Sequence, residues 1–237
     1  DKEETIPIII ELLERAANGE KLDDDERSAL FFLIHIIGEL RVEAACSPLL
    51  KFLQNDQDYL DATIGDAITV SIHKIIISIY DGNAAGLYEV IDNHHAYVYA
   101  RNAVFEAWTY LVAVGKIERP EAERYLLNCF NTLQPQSESY VWTSWLMAIA
   151  TLGYSDLRPL AERAIKNNFV KSRSISMNGF DRIVDEALST GDQTAFLHKQ
   201  HLFPFSDTIG TLSTWHGFSE EYALEQRKQQ LQVRMDN

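Results

Sequence analysis

The sequence predicts an all-helical chain, an α-solenoid of about four stacked helix pairs closed by a helical cap at each end. Three observations lead there. Apolar residues recur at spacings of three and four through most of the 237 residues, as a helix with one buried face requires. Only 11 Gly and 6 Pro occur, several of them between apolar runs, so the chain is poor in the turns of a loop-rich β protein. Glycines following apolar runs also return at a near-constant interval along the chain.

The first helix is predicted over Glu4 to Ala17, with Ile6, Ile9, Ile10, Leu13 and Ala16 on one face and Gly19 ending it. The next, Asp25 to Leu40, is apolar almost all round (Leu30, Phe31, Phe32, Leu33, Ile34, Ile36, Ile37). A helix of that kind must be covered on most sides. Gly38 is predicted to end it in a left-handed conformation, and Ser47-Pro48 to open the partner helix that carries Leu49, Leu50, Phe52 and Leu53. The arrangement recurs from Leu152-Gly153 to Pro159-Leu160, and in weaker form around Gly82 and Gly115.

Gly38, Gly82, Gly115 and Gly153 are separated by 44, 33 and 38 residues, close to the period of HEAT-like repeats. The units fall at about 25–55, 60–92, 95–133 and 138–168, after a cap at 4–18. One helix pair cannot bury both of its apolar faces, so such units must stack. Ala67 to Tyr80 is rich in β-branched residues, but it exceeds a typical strand in length and is read as a buried helix. Residues 169–237 leave the period and are predicted as an irregular cap. Phe180, Ile183, Val184, Ala187 and Leu188 mark one helix in it, and Phe203-Pro204-Phe205 a turn. Ser206-Asp207 caps a helix with Ile209, Leu212 and Trp215, and a last polar helix runs from Ser219 to Arg234.

Through these packing motifs the chain resembles HEAT-repeat proteins. More specifically it resembles the bacterial family called domain of unknown function 1186. The features that carry this are the acidic helical N-terminal half, the Gly153 turn, and the stretch Phe205-Ser206-Asp207-Thr208-Ile209 through Leu212 and Trp215. The resemblance covers nearly the whole chain and implies a helical fold without implying an activity. Some members of that family continue into a cysteine-rich zinc module, and this sequence has no such cluster. Because it starts at Asp1 rather than Met, the chain reads as a piece of something longer.

The charge narrows the function classes. With 35 acidic and 21 basic residues the formal net charge is −14, which opposes extended contact with nucleic acid or an anionic membrane. HEAT-like DNA-repair enzymes need a basic concave face and make a poor analogue. No run approaches the roughly 18 apolar residues of a membrane span. Cys46 and Cys129 lie in apolar helical patterns without a CxxC partner, as expected of buried free thiols in a cytoplasmic protein. The run Asp23-Asp24-Asp25-Glu26 reads as a solvated helix start.

Few residues suggest chemistry. His94-His95 fits a loop between repeats, with Asp92 or Asn93 capping the next helix. His35 and His73 are read as hydrogen-bonded core residues, and His198 and His201 as at most a weak surface site. No phosphate loop, nucleophile elbow, metal set or cofactor motif is present. Asp66, Arg101 and Glu106 stand within otherwise apolar first helices, and Asp66 and Arg101 are expected to bridge adjacent repeats as an ion pair. Trp108 and Trp145 are expected at equivalent core positions, with Phe31 continuing their column.

The resulting expectation is a non-enzymatic scaffold for an unidentified protein or peptide. Its groove is formed by the second helix of each pair and carries Lys51, Gln54, Glu89, Asp92, Arg124, Asn128, Glu162 and Lys166. The alternative is a small-molecule binder or lyase of the bilin-handling HEAT type, which would show a pocket lined by Trp and Tyr.

Overall fold

The computed structural model describes residues 2–171, 174–218 and 222. Helix accounts for 71% of the structure, and no strand occurs among the described residues. The chain forms two compact units, Asp1–Phe205 and Ser206–Asn237. In the first unit α1 (Lys2–Ala17), α2 (Asp24–Leu40) and α3 (Cys46–Phe52) are followed by three short helices, α4 (Gln57–Thr63), α5 (Ala67–Val70) and α6 (Ile72–Ile79). Then come α7 (Ala85–Asp92), α8 (Val98–Ala113), α9 (Arg119–Thr132), α10 (Tyr140–Thr151), α11 (Arg158–Lys166), α12 (Met177–Ser189) and α13 (Gln193–Lys199). The second unit holds α14 (Thr208–Ser213), whose N-cap Asp207 accepts a hydrogen bond from the Gly210 amide.

The helices of the first unit lie in two rows. In one row α2 packs on α6, α6 on α8, α8 on α10, and α10 on α12. In the other α1 packs on α3 and α3 on α7. Helix α9 continues that second row through the Tyr88–Tyr125 ring contact at 4.5 Å, and α11 follows with Arg163 over the Phe130 ring at 4.6 Å. Contacts of α1 with α2, and of α8 with both α7 and α9, join the rows.

Short polar side chains decide where the helices start. Asp23 caps α2 by accepting from the Glu26 amide at 2.8 Å, and the Glu26 carboxylate accepts in return from the Asp23 amide at 3.0 Å. This capping box accounts for the acidic run, which also places three acids at the positive end of the helix. Arg15 binds Glu20 and Glu26, tying α1 to that start. Asp56, Ser176 and Asp192 cap α4, α12 and α13 by accepting from the Tyr59, Gly179 and Ala195 amides.

Four expectations change in detail. Gly38 does not end α2. The left-handed residue is Arg41, at φ 55°, and Gly38 is buried inside the helix. A Cβ there would come within 2.9 Å of Ile75 Cγ1 and 3.2 Å of the Phe205 ring, so the glycine permits close approach of α2, α6 and the chain around Phe205. Ala67 to Tyr80 is helical but interrupted at Ser71, whose hydroxyl meets His35 Nε2 at 2.8 Å. Asp66 is exposed and forms no bridge to Arg101. Arg101, only 2% exposed, donates from Nε to the Ile91 carbonyl at 2.8 Å. Phe31 is only half-buried and sits 4.9 Å from His35 on its own helix, so it continues no tryptophan column. The last helix expected from Ser219 to Arg234 lies outside the described residues, apart from Tyr222.

Trp108 and Trp145 are fully buried. Each turns from the first row toward the second. Trp108 packs against Tyr88 of α7 and Tyr125 of α9. Trp145 lies against Phe130 of α9 and donates from Nε1 to the Leu126 carbonyl at 2.9 Å.

After α12 the chain turns back across the first row. Gln193 donates to the Ala113 carbonyl at the end of α8. Phe196, Leu197 and Leu202 pack with Tyr110, Ala113, Ile183 and Ala187. The Phe205 amide donates to the Lys74 carbonyl at 3.0 Å, and Ser78 donates to the Phe205 carbonyl at 3.0 Å. This return segment covers an apolar flank of α6 and α8 that the second row, on their other side, cannot reach.

Two predictions follow from this packing. Trp108→Ala or Trp145→Ala should each cost about 3–5 kcal/mol in urea denaturation, and each indole in a single-Trp variant should resist acrylamide; free quenching with little loss of stability would contradict the core assignment. Gly38→Val should destabilise the chain by about 1–3 kcal/mol through overpacking at Ile75 and Phe205, and a neutral substitution would mean that the close approach is not required.

Candidate functional site

Two polar regions stand out in the first unit. One is the second-row surface that holds the residues singled out from the sequence. Lys51, Gln54 and Glu89 line a common hollow of 340 Å³ between α3 and α7, with Asp81 and Asn83. Several of the eight residues are engaged with neighbouring protein groups. Lys51 donates to Asn18 at 2.6 Å, and Gln54 accepts from Asn93 at 3.0 Å. Asp92 accepts from the Tyr125 hydroxyl at 2.8 Å. Glu162 pairs with Lys166 at 2.8 Å and with Arg158 at 3.8 Å. Arg124 and Asn128 are exposed on α9. The eight residues are therefore spread over α3, the turn after it, α7, α9 and α11, and the hollow joins the first three. His94 and His95 are exposed in the turn after α7, where Asn93 Oδ1 accepts from the His95 amide.

The other region was not among those sites. A cleft of 270 Å³ opens on the first row, between α8 and α10, with Thr69 of α5 on one side and Gln200 and Leu202 of the return segment on another. Helix α8 contributes Tyr99, Asn102, Glu106 and Thr109, spaced by three and four along one stripe. Helix α10 contributes Tyr140, Thr143, Ser144, Met147, Ala148 and Thr151 in the same manner. On helices whose other faces are core, such a stripe of hydroxyl and amide groups needs something polar to face. Within the stripe the Ser144 hydroxyl donates to Asn102 Oδ1, and Asn102 Nδ2 donates to Glu106 Oε1 at 3.1 Å. The Thr143 hydroxyl is buried without a protein partner.

Among the described residues Glu106 is the only lining side chain with a formal charge near neutrality. Its carboxyl is raised from its ordinary value of 4.5 to about 7, because burial penalises the anion more than Asn102 and the nearby Lys74 charge favour it. Even so, 38% of the side chain remains accessible through the cleft. Behind it lies His73, with Nδ1 at 3.5 Å from Glu106 Oε2. The other ring nitrogen, Nε2, faces the His201 carbonyl at 3.1 Å. A carbonyl only accepts, so Nε2 carries the hydrogen and Nδ1 presents a lone pair to Glu106. Burial lowers His73 to about 4, which leaves the imidazole neutral at neutral pH. The structure therefore places a carboxyl able to hold a proton against a neutral imidazole that the return segment orients.

Among the described residues no group of three His, Cys, Asp or Glu could hold a metal ion, and no helix is long and apolar enough to cross a membrane. Cys46 and Cys129 are buried free thiols, pushed up by burial to about 11 and about 12, which suppresses the reactive thiolate. Trp108, Trp142 and Trp145 are all fully buried, and the aromatic residues of the cleft are Tyr99 and Tyr140.

The two titratable neighbours act oppositely on stability. Glu106 binds its proton more tightly folded than unfolded, so its contribution is complete below about 4.5 and is lost as pH rises through about 7. His73 is depressed, so its contribution is present above 6.5 and is lost as pH falls through about 4. Glu106→Gln removes only the first effect. The variant should gain stability relative to the parent as pH is raised from about 4.5 to about 7, with a level difference above, measured by urea denaturation across that range. A difference independent of pH would show that Glu106 titrates normally.

The fold and this geometry can be set beside known proteins. An uncharacterized protein of Chlamydia trachomatis serovar D is 24% identical over 211 residues, spanning 88% of this chain and 83% of its own length. An uncharacterized protein of Chlamydia muridarum is 23% identical over 212 residues, spanning 88% of this chain and 84% of its own. No solved structure matches the chain. The family model described as protein of unknown function (DUF1186) matches residues 1–219, and with that span the chain belongs to the DUF1186 family.

Proposed function

We propose that the chain is a HEAT-like α-solenoid acting as a non-enzymatic binding module in the cytoplasm, with a protein or peptide partner lying along the second row of helices. The observation that carries this reading is a recurring link. Lys51 to Asn18 joins α3 to the end of α1, and Tyr88 to Glu121 and Tyr125 to Asp92 both join α7 to α9, each of these side-chain hydrogen bonds spanning 33 residues; between the ends of α3 and α7, Asn93 to Gln54 spans 39. Similar sequence steps between neighbours in space are what a stack of like units produces. The two-row packing and the positions of α2 with α3, α8 with α9, and α10 with α11 support the same division into helix pairs. In the pair between them, the first helix is broken into α4, α5 and α6.

A stacked second row presents one continuous surface. Here it carries mixed charge, with Lys51, Arg124 and Lys166 among Glu89, Asp92 and Glu162. Such a surface suits a polypeptide that offers hydrogen bonds and both signs of charge. The net charge of −14 argues against a nucleic-acid partner. Partner binding would compete with the contacts of Lys51, Gln54 and Asp92 described above, so affinity should come from a few well-seated side chains rather than from the whole row.

Photo-crosslinking residues placed at Gln54 and at Asn128, in cells expressing the chain, test the reading. A single partner captured from both positions, and lost with Lys51→Glu combined with Arg124→Glu, is expected. Unrelated products from the two positions, or capture that survives the charge reversals, would contradict it.

A further inference from the structure

We propose that the cleft between α8 and α10 is a binding site for a compact organic cation, an ammonium or guanidinium group held by the Glu106 carboxylate and by Tyr99 and Tyr140. The site is separate from the second-row surface, so the two assignments stand or fall independently.

Three observations carry it. The first is charge selection. Among the described residues Glu106 is the one lining group that ionises near neutrality, and no described Lys or Arg lines the cleft; Lys74 favours the anion from outside the lining, so within the cleft itself a cation meets its counter-charge. The second is the incomplete environment of that carboxyl. Asn102 serves one oxygen at 3.1 Å. The other faces the His73 Nδ1 lone pair at 3.5 Å, an arrangement that gives an anion no donor. Lys74 is turned onto the Phe203 ring, 4.7 Å from its centroid. A ligand N–H donor supplies what this anion lacks. The third is the aromatic wall. The rings of Tyr99 and Tyr140 lie 5.4 Å apart and give the cleft aromatic faces of the kind that attract cations; Lys171 lies 5.5 Å from the Tyr140 centroid. At 270 Å³ the cleft is near the lower edge of ligand sites, about 300–1,000 Å³. It therefore suits a single headgroup with a short stem. The hydroxyl stripe would receive additional amide or hydroxyl groups.

The same chemistry occurs on free amines and guanidines and on lysine or arginine side chains of a peptide. Binding must be linked to proton release, because the cation favours ionised Glu106 while the empty site holds its carboxyl at about 7. The groups facing it are His73 and Lys74 from α6, Asn102 on its own helix, and the His201 carbonyl behind His73. His73 stays neutral from pH 6 to pH 8, as burial has lowered it to about 4.

The full chain, labelled with carboxyl-¹³C glutamate, is titrated with n-butylammonium, n-butylguanidinium and the neutral mimic n-butylurea. In a second arm it is titrated with acetyl-Gly-Lys-Gly-amide and acetyl-Gly-Arg-Gly-amide. Expected are saturable binding of cations but not of the urea, a lowered Glu106 titration midpoint with the cation present, and affinity about tenfold tighter at pH 8 than at pH 6. Glu106→Gln should weaken binding by about tenfold or more. Tighter binding of the peptides assigns the cation to a side chain, and tighter binding of the free probes to a small molecule. Equal binding of the urea, an unmoved Glu106 midpoint, or no saturable binding of any cation would overturn the proposal. The midpoint is read on the parent protein and does not depend on how the variant folds.

Discussion

Helices α6, α8 and α10 carry apolar side chains around most of their circumference, and water must be kept from nearly every side of them. Neighbours in the first row cover two sides, and the second row covers a third. The remaining flank of α6 and α8 is met by the chain between α12 and Phe205, which runs back over it and is fixed by Phe196, Leu197, Leu202 and the Phe205 amide. Gly38 belongs to the same arrangement, since only a residue without a Cβ lets Ile75 and Phe205 close against α2. Large side chains then fill the space between rows, and Trp108 and Trp145 bridge to α7 and α9 from inside.

Where this cover ends, polar groups begin. The stripe on α8 from Tyr99 to Thr109 and that on α10 from Tyr140 to Thr151 lie beyond the apolar part of the return segment. That part reaches only far enough to place Gln200 and Leu202 at the cleft and the His201 carbonyl on His73. The same closure that protects the core thus fixes the His73 tautomer and leaves Glu106 half-enclosed. A carboxyl in that position is held back from ionising by its surroundings.

Much of this was legible in the sequence, for reasons that also explain what was not. The apolar character of α2 and the acidic helix start at Asp23 to Glu26 are local signals, and both appear in the structure, the latter as a capping box. The burial of His35, His73, Trp108 and Trp145 followed from their apolar neighbours. Gly38 departs from the expectation because a glycine near a helix end can mark either a left-handed cap or a close contact, and only the partner, Ile75 together with the distant Phe205, decides between them. Asp66 and Arg101 were paired by their like positions in successive units, but an interrupted helix between α4 and α6 leaves Asp66 facing water. The cleft was invisible because its residues come from four segments. Its one local trace is the spacing of Tyr99, Asn102, Glu106 and Thr109 on a helix otherwise buried, and of that stripe only Glu106 stands out by its charge.

The claim that the return segment completes the cover of the first row, and through it builds the cleft, is tested most directly by native-state hydrogen exchange on a Phe205→Ala variant of the full chain. The account predicts faster exchange in α6, in α2 around Gly38 and at residues 200–205, together with a shifted Glu106 titration, while α9 and α11 keep the protection they have in the parent. Uniform loss of protection over both rows, or none beyond Phe205 itself, would contradict it.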